Sequence, residues 1–468
     1  MPRNFAIDAV RDAEERGRLF EQRVLGYPVW PLERLRRYRS ELVRGQVVER
    51  TGPGAPLPGR FRALTAPLSQ ALADARAFGL PRALLERDLW VLGLSTYRKP
   101  DARGELQCIF AEDLRAQLGE RLVFLERTNN DLAAPPRPDV VHIDALHVAA
   151  MLSAQAAAWP LGRLGVVPRA QREAFGLSAS YLGQLALYGR ALQAAAERLI
   201  ALGRPTAVFV LCGYQPFIPI QRAVRAAGVP LIELQHGLIH ESHPGYALDS
   251  GASADHVPDH LVVFGERFAE IARAASPHWR GKLSVGGHPW LRDKSKHVAP
   301  LESRRDVILF SQLEQPVREA LRALALDLAP RLPGELRVVI KPHPREADAD
   351  AYWGPITSER ITLAPFRSDS YALLGQCRAA VSVYSTIALE APAFGCPSIV
   401  LRSDFWSDDI RAMVEQGALL AADGAPDVLA ALGARADGAD AANALFGVST
   451  PALDYERLVD ELTAQRPR

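Results

Sequence analysis

No run of apolar residues in this chain approaches the ~20 needed to cross a bilayer as a helix. Its first residues, MPRNFAIDAVRDAEERGR, carry no apolar signal core. The expectation is a cytoplasmic protein that visits the inner face of a membrane, as a peripheral partner, if it works on membrane-bound material. Net charge of one sign is also missing: the formal balance is +1, so no nucleic-acid partner is implied. Cysteine is scarce. Cys108, Cys212, Cys377 and Cys396 show neither disulfide nor metal spacing, and each lies in or beside an apolar segment, which predicts buried free thiols in a reducing compartment. No clustered histidine and aspartate spacing stands out, so a metal-independent site without a cofactor is expected.

What the chain does have is length and apolar content. At 468 residues it is too long for one compact core, and 48% hydrophobic with 23% charged residues is the balance of a folded globular protein. Residues 1–85 read as a basic, helical N-terminal extension interrupted by the turn-rich TGPGAPLPGR (51–60). Its arginine cluster RLRRYRSELVR (34–44) reads as a solvated helix face in preference to a membrane contact. Beyond it, short apolar β-rich runs alternate with helical stretches in two series, 86–300 and 301–450, and a last helix over 451–468 is expected to cross back onto the first series. Strands apolar on both faces and separated by helices predict parallel sheets covered on both sides. The fold class is therefore α/β, two doubly wound Rossmann-like domains facing a cleft.

Ligands of such sheets sit at the carboxyl ends of the strands, and that is where this sequence concentrates its polar residues. Gln235-His236-Gly237, Gly287-His288-Pro289, Ser311-Gln312, Lys341-Pro342-His343-Pro344 and Tyr384-Ser385-Thr386 each follow a predicted strand. In KPHP, two prolines fix the backbone around His343 beside the charge of Lys341, a rigid place for a phosphate oxygen. Ser385 and Thr386 open a predicted helix over 386–394, where free N–H groups favour an anion. Glu390 lies one turn on, placed to accept the hydroxyls of a ribose. Gly237 makes Gln235-His236-Gly237 a tight strand-end turn, and His236 is the first choice for a catalytic or donor-contacting residue. Glu233 and Asp144 are further candidates for the base, although Glu233 and His236 alternate across one strand and pair only if the loop begins at Gln235. Tyr97 and Arg98, after the first strand, could grip an acceptor, and His243 with Tyr246 could line a sugar pocket. Trp290 and Trp353 read as core or hinge packing.

The His-Pro turn, followed at a later strand end by Ser-Thr and then glutamate, resembles the nucleotide-binding half of GT-B glycosyltransferases. It is especially similar to bacterial capsule and lipopolysaccharide enzymes that use CMP-sugars, the Kdo and sialyltransferase types. STIALEAPAFGCPSIVLR (385–402) also resembles the ribose-binding segment of UDP-N-acetylglucosamine 2-epimerases. The resemblance covers about residues 205–402. It implies a GT-B-like fold in which Gln235, Gly237, His288, Ser311, Lys341, His343, Ser385, Thr386 and Glu390 hold the donor nucleotide. It implies a nucleotide-sugar as substrate, a CMP-sugar such as CMP-Kdo being slightly favoured, and a glycan or lipid-linked glycan as acceptor. Two alternatives share the fold: a UDP-sugar 2-epimerase-type isomerase and a CDP-alditol glycerophosphotransferase-like enzyme. Neither the tandem serine pair of the sialyltransferases nor an Asp-Glu-Gly motif is present.

Overall fold

The computed structural model describes residues 4–45, 86–100, 104–128, 139–248, 254–296, 298–366, 368–406, 408–415, 417–433 and 438–466; the turn-rich stretch 51–60 lies outside them. Among the described residues, the N-terminal domain is built on a seven-stranded parallel sheet. Its strands are β1 (Leu89–Leu94), β4 (Leu122–Arg127), β5 (Val140–His142), β6 (Ala207–Val210), β7 (Leu231–Leu234), β8 (His260–Val263) and β9 (Leu283–Val285), in the order β5-β4-β1-β6-β7-β8-β9. A small antiparallel pair, β2 (Arg98–Pro100) and β3 (Leu106–Cys108), stands beside it. The C-terminal domain has six parallel strands, β10 (Asp306–Phe310), β11 (Arg337–Lys341), β12 (Ile361–Leu363), β13 (Cys377–Ser382), β14 (Ser398–Leu401) and β15 (Leu420–Ala422), ordered β12-β11-β10-β13-β14-β15. The two doubly wound α/β domains expected from the alternation are present.

The central strands follow from their sequences. β6 (AVFV), β8 (HLVV) and β10 (DVILF) are buried along their whole length, because helices cover both faces of a parallel sheet. Ser178 caps the helix Ala179–Gly203 by accepting from Tyr181 N at 3.2 Å. β5, β15 and the β2–β3 pair go beyond what the sequence pattern predicts. Their register comes from the neighbour they pair with.

In each sheet the winding reverses between two adjacent strands, β1 and β6 in the first and β10 and β13 in the second. The loops leaving those four strands at their carboxyl ends are the natural crevices for a ligand. The domains are joined a second time at the far end of the chain. The helix Gly438–Phe446 packs Phe446 against Phe264 and Phe268, and Phe446 O accepts from His288 N at 2.7 Å. The two backbones then nearly touch: Gly287 has φ +76°, and a Cβ there would lie 2.9 Å from Gly447 O. The helix Tyr455–Ala464 lays Tyr455, Leu458 and Val459 into the core of the N-terminal sheet, and Gln117 of that domain fastens its start through Leu453 O and Tyr455 N.

The helices Asn4–Gly17 and Trp30–Gly45 form a small core with Val167, Phe175, Leu182, Ala247 and Ala275. Here the structure corrects the reading of the arginine cluster as solvated at one residue: Arg36 and Arg39 are exposed as expected, and Arg34 is not. Arg34 is buried, its Nε 2.5 Å from Glu14 Oε1. It donates from Nη2 to Ala247 O at 2.9 Å and from Nη1 to Pro244 O. Glu14 also accepts from Trp30 Nε1 at 2.7 Å. Helical periodicity cannot tell an arginine facing solvent from one facing a carbonyl-rich loop. Among the described residues no helix is long and apolar enough to cross a membrane, and all four cysteines are buried and unbridged.

Arg34→Met leaves the Glu14 carboxylate buried without its cation, and breaking one side of such a pair costs about 3 kcal/mol or more. A urea unfolding series should show that loss, and adding Glu14→Gln to Arg34→Met should recover part of it.

Candidate functional site

The site grows out of the N-terminal crevice. Glu233 is the third residue of β7, fully enclosed. Its Oε1 accepts from Gly213 N at 3.0 Å and from the Tyr246 hydroxyl at 2.9 Å. Gly213 follows β6, and a Cβ at that position would fall 2.2 Å from Glu233 Oε2; no larger residue leaves room for the carboxyl. Burial raises the Glu233 pKa from 4.5 to about 7, with the Gly213 and Tyr246 hydrogen bonds pulling the other way. A carboxyl so placed exchanges a proton near neutral pH.

Around it stands an aromatic wall. The strand ends at Leu234, so the loop begins at Gln235 and the strict alternation that would separate Glu233 from His236 is lifted. His236 Nε2 lies 3.0 Å from the Tyr214 hydroxyl, while Nδ1 is enclosed without a hydrogen-bond partner among the described residues. Burial lowers the His236 pKa to about 4, so the ring is neutral. Its ring lies 5.5 Å from both Tyr97 and Tyr214, and Phe110 closes against Tyr97 at 5.3 Å. Tyr214 in turn faces Tyr246 and His243. His243 takes part in the wall and accepts from Gly245 N through Nδ1 at 3.0 Å.

The other sequence candidates in this domain divide. Gln235 is buried in a bracing role: its Oε1 accepts from Phe264 N at 2.7 Å and its Nε2 donates to Gly237 O at 2.8 Å. Gly237 is exposed in a bend, but its φ is not in the left-handed region and a Cβ there would meet nothing within 4 Å, so the expectation that glycine is needed for a tight turn is not met. His288 is buried, caps the helix Pro289–Lys294 through Leu291 N at 3.2 Å and stacks 4.5 Å from Phe264; burial lowers its pKa to about 3. Arg98 is buried in a pair with Glu126, Nε to Oε1 at 2.9 Å. Asp144 is not brought to the cluster. It begins the helix after β5, at the far edge of the sheet four strands from β7, and accepts from Thr128 N at 2.9 Å. At ~4.8 Å per strand that is roughly 19 Å away.

The second crevice carries the remaining candidates. Gln312, after β10, accepts from Val383 N and Tyr384 N beyond β13 at 3.3 and 3.1 Å, drawing the two loops together. Ser311 is buried with its hydroxyl toward Gln312 O at 3.4 Å. Lys341 is buried at the end of β11 and donates to Pro342 O at 2.8 Å. His343 accepts from Arg345 N at 3.2 Å, and its own N–H donates to Glu346 Oε2 at 3.0 Å. Glu346 is fully buried, also holding Trp353 Nε1 at 2.7 Å and lying 2.9 Å from Arg318 Nε. Trp290 and Trp353 are both buried in the core.

The helix predicted over 386–394 is shorter than expected. It is one turn, Ile387–Glu390, continued by a 3-10 turn, Ala391–Phe394. Ser385 Oγ lies 3.4 Å from Ile387 N and Thr386 is exposed; Pro392 accounts for the break. So short a helix has little dipole to offer a phosphate. Glu390 accepts from the Tyr371 hydroxyl, and burial raises its pKa to about 7 against that bond and the nearby Lys99 charge. Asp348 and Asp350 have an Asp-x-Asp spacing that the strand-end pattern does not single out; Asp348 lies 3.1 Å from Arg318 Nη1. Among the described residues no three His, Cys, Asp or Glu side chains group as metal ligands.

The two crevices face one another. Lys99, on β2 beyond the end of β1, sets its ammonium 4.7 Å from the ring centroid of Tyr371, the residue that holds Glu390. Neither Lys99, Tyr371 nor Gly213 carries a signal in the sequence. Each is an ordinary residue type whose role arises from what another loop places beside it.

No protein-family model and no curated protein sequence matches the chain. Among solved structures, the fold is similar to the S. aureus MnaA–UDP co-structure, at TM-score 0.48 and 14% identity over 81% of this chain and 99% of that one. It is similar to a UDP-GlcNAc 2-epimerase from Methanocaldococcus jannaschii at TM-score 0.46 and 11% identity, covering 75% and 92%. It is also similar to an alpha,alpha-trehalose-phosphate synthase (UDP-forming) from Burkholderia vietnamiensis at TM-score 0.43 and 14% identity, covering 80% and 99%. None of these reaches a TM-score of one half, and the functional reading rests on the site itself.

The raised Glu233 pKa has a thermodynamic signature. The folded chain binds a proton there that the unfolded chain releases near pH 4.5, so the stability it contributes is full below that pH and falls as pH rises toward 7. Relative to Glu233→Gln, wild type should lose up to about 3 kcal/mol between pH 4.5 and 7 and nothing further above. Urea unfolding of both proteins at four pH values measures the difference.

Proposed function

We propose that this chain is a glycosyltransferase that moves a sugar from a nucleotide-linked donor to a hydroxyl of a cell-surface polysaccharide or its lipid-linked precursor. The observation that carries this reading is Glu233, a buried carboxyl poised near pH 7 on β7, the strand next to the switch point of one sheet, with the Glu390, Lys341 and His343 loops of the other sheet across the cleft. Glu233 acts as general base. Its carboxylate takes the acceptor O–H proton, the oxygen bonds to the anomeric carbon, and the bond from that carbon to the donor phosphate breaks with its electron pair leaving on phosphate.

The neutral His236, held by the Tyr214 hydroxyl at Nε2, stands in the wall beside the base. The Tyr97, Phe110 and Tyr214 rings supply an apolar face of the kind sugars pack against, and they exclude water from the base. In this reading Glu390, which also accepts from the Tyr371 hydroxyl, takes the ribose hydroxyls on the opposite side, and the His343 turn takes the phosphates. His343 is kept neutral by burial and by the neighbouring Arg345 charge, which makes it a donor to phosphate through Nε2.

A thermal-shift panel of CMP-, UDP-, GDP- and CDP-linked compounds should raise the melting temperature for one nucleotide class, and stabilisation by none would remove the transferase reading. With that donor, Glu233→Gln should lower kcat by about 10²–10⁴-fold while leaving nucleotide affinity within about threefold. The wild-type rate should climb with pH through about 7 as the base ionises. Conversion of a UDP-sugar to its 2-epimer with no acceptor present would reassign the chain to the isomerases.

A further inference from the structure

The loops at the carboxyl ends of β13 and β14 carry an apolar surface that the chemistry at Glu233 does not use. Tyr384, two residues past β13, and Phe405, four residues past β14, stack their rings, with centroids 6.0 Å apart and 24° between the planes. Phe405 is 37% exposed, and Leu313, next to Glu314 on the loop after β10, is exposed as well. Single exposed apolar residues are ordinary; two rings held parallel at the lip of a crevice are not.

The shelf is held from below. Trp406 is buried and donates from Nε1 to Leu401 O at 2.6 Å, while Phe405 N donates to Ser403 Oγ and Trp406 N to Ser403 O, both at 3.2 Å. The anchored tryptophan fixes the turn and leaves the phenylalanine outside it. On the β13 side, Tyr384 N donates to Gln312 Oε1 at 3.1 Å, and the Tyr384 hydroxyl donates to the Glu314 carboxylate. A face ordered in advance costs an incoming ligand little entropy.

Size and charge select the occupant. Two rings and a leucine fall far short of the roughly 800 Å² per partner that a stable protein interface buries. The polar groups beside the rings are acidic or neutral: Glu314 and Asp404 are exposed, and the hydroxyls of Ser385 and Thr386 follow Tyr384. Arg402, the cation of the same loop, is turned to Asp423 at 3.3 Å and to the Trp406 ring. Carboxylates repel a phosphate and accept hydrogen bonds from hydroxyls. That combination suits an uncharged sugar, whose C–H face packs on an aromatic ring while its rim hydroxyls donate to the acids. β14 also lies on the side of β13 away from β11, whose end carries His343, so the shelf lengthens the cleft beyond the turn assigned to the phosphates.

We infer that Tyr384 and Phe405 form a secondary subsite for an uncharged sugar unit, so that the acceptor is an oligosaccharide whose chain runs along the C-terminal lip of the cleft. The inference rests on the transferase reading above and narrows its acceptor, since a single sugar at Glu233 would leave the shelf bare.

The test is saturation-transfer NMR of the full-length protein with maltohexaose, isomaltohexaose and N-acetylchitohexaose, each against its monosaccharide. At least one hexasaccharide should receive saturation on its ring C–H protons and bind about tenfold tighter than its monosaccharide. Phe405→Ala should weaken that hexasaccharide about fivefold, the worth of one aromatic face. The melting temperature, and the affinity for whichever nucleotide stabilises the protein, should stay unchanged, and Phe405→Trp should keep the sugar bound. No hexasaccharide binding to wild type, or binding that Phe405→Ala leaves intact, overturns the subsite and leaves the transferase reading standing. Loss of nucleotide affinity in Phe405→Ala with sugar binding intact assigns the rings to the donor base and overturns it too. If no nucleotide stabilises the protein while Phe405→Ala still weakens the hexasaccharide, the transferase reading falls and the sugar subsite stands.

Discussion

A single constraint organises the N-terminal half of this protein: a carboxyl group buried on a central strand must be hydrogen-bonded or it destabilises the fold. Glu233 meets that constraint with two donors from two separate segments, the Gly213 N–H after β6 and the Tyr246 hydroxyl of a distant loop. Both donors soften the burial penalty without removing it, and the group is left poised near neutrality. The loop bearing Tyr246 is itself held by Arg34, whose guanidinium reaches Pro244 O and Ala247 O from the N-terminal helices. The helical extension is thus a brace for the candidate base, which explains why an arginine there is buried at all.

The C-terminal half is arranged by the same kind of logic with a different outcome. Glu346, fully buried, gathers the His343 N–H, Trp353 Nε1 and Arg318, and so fixes the turn that presents Lys341 and His343. Gln312 ties the loops after β10 and β13. These groups satisfy one another and hold the loops at the strand ends in place. The return of the chain through Phe446 and the helix Tyr455–Ala464 joins the two domains a second time, which keeps the crevices opposed.

Much of the architecture was legible because it rests on local rules. Apolar runs such as AVFV and DVILF must be buried on both faces, and Ser178 and Gly228 mark a helix start and a helix end. The concentration of polar residues at strand ends points to His236, Lys341 and His343; the first stands in the aromatic wall beside β7, and the other two lie at the end of β11. The failures are equally physical. Asp144 follows a strand end like the others, but strand order puts it at the sheet's edge. Arg98 and Gln235 have the right chemistry and are occupied by Glu126 and by the backbone around Phe264. The helix expected over 386–394 breaks near Pro392, where the ring removes a backbone donor.

By itself the sequence determined the two doubly wound domains, most of their strand segments and the ends at which polar residues collect, since hydrophobic period and turn residues act over a few positions. Only the tertiary structure decided which of those polar residues share a site. Gly213, Tyr246, Lys99 and Tyr371 owe their roles to partners far from them along the chain, and the protonation state of Glu233 is set by the burial and hydrogen bonds that those partners create.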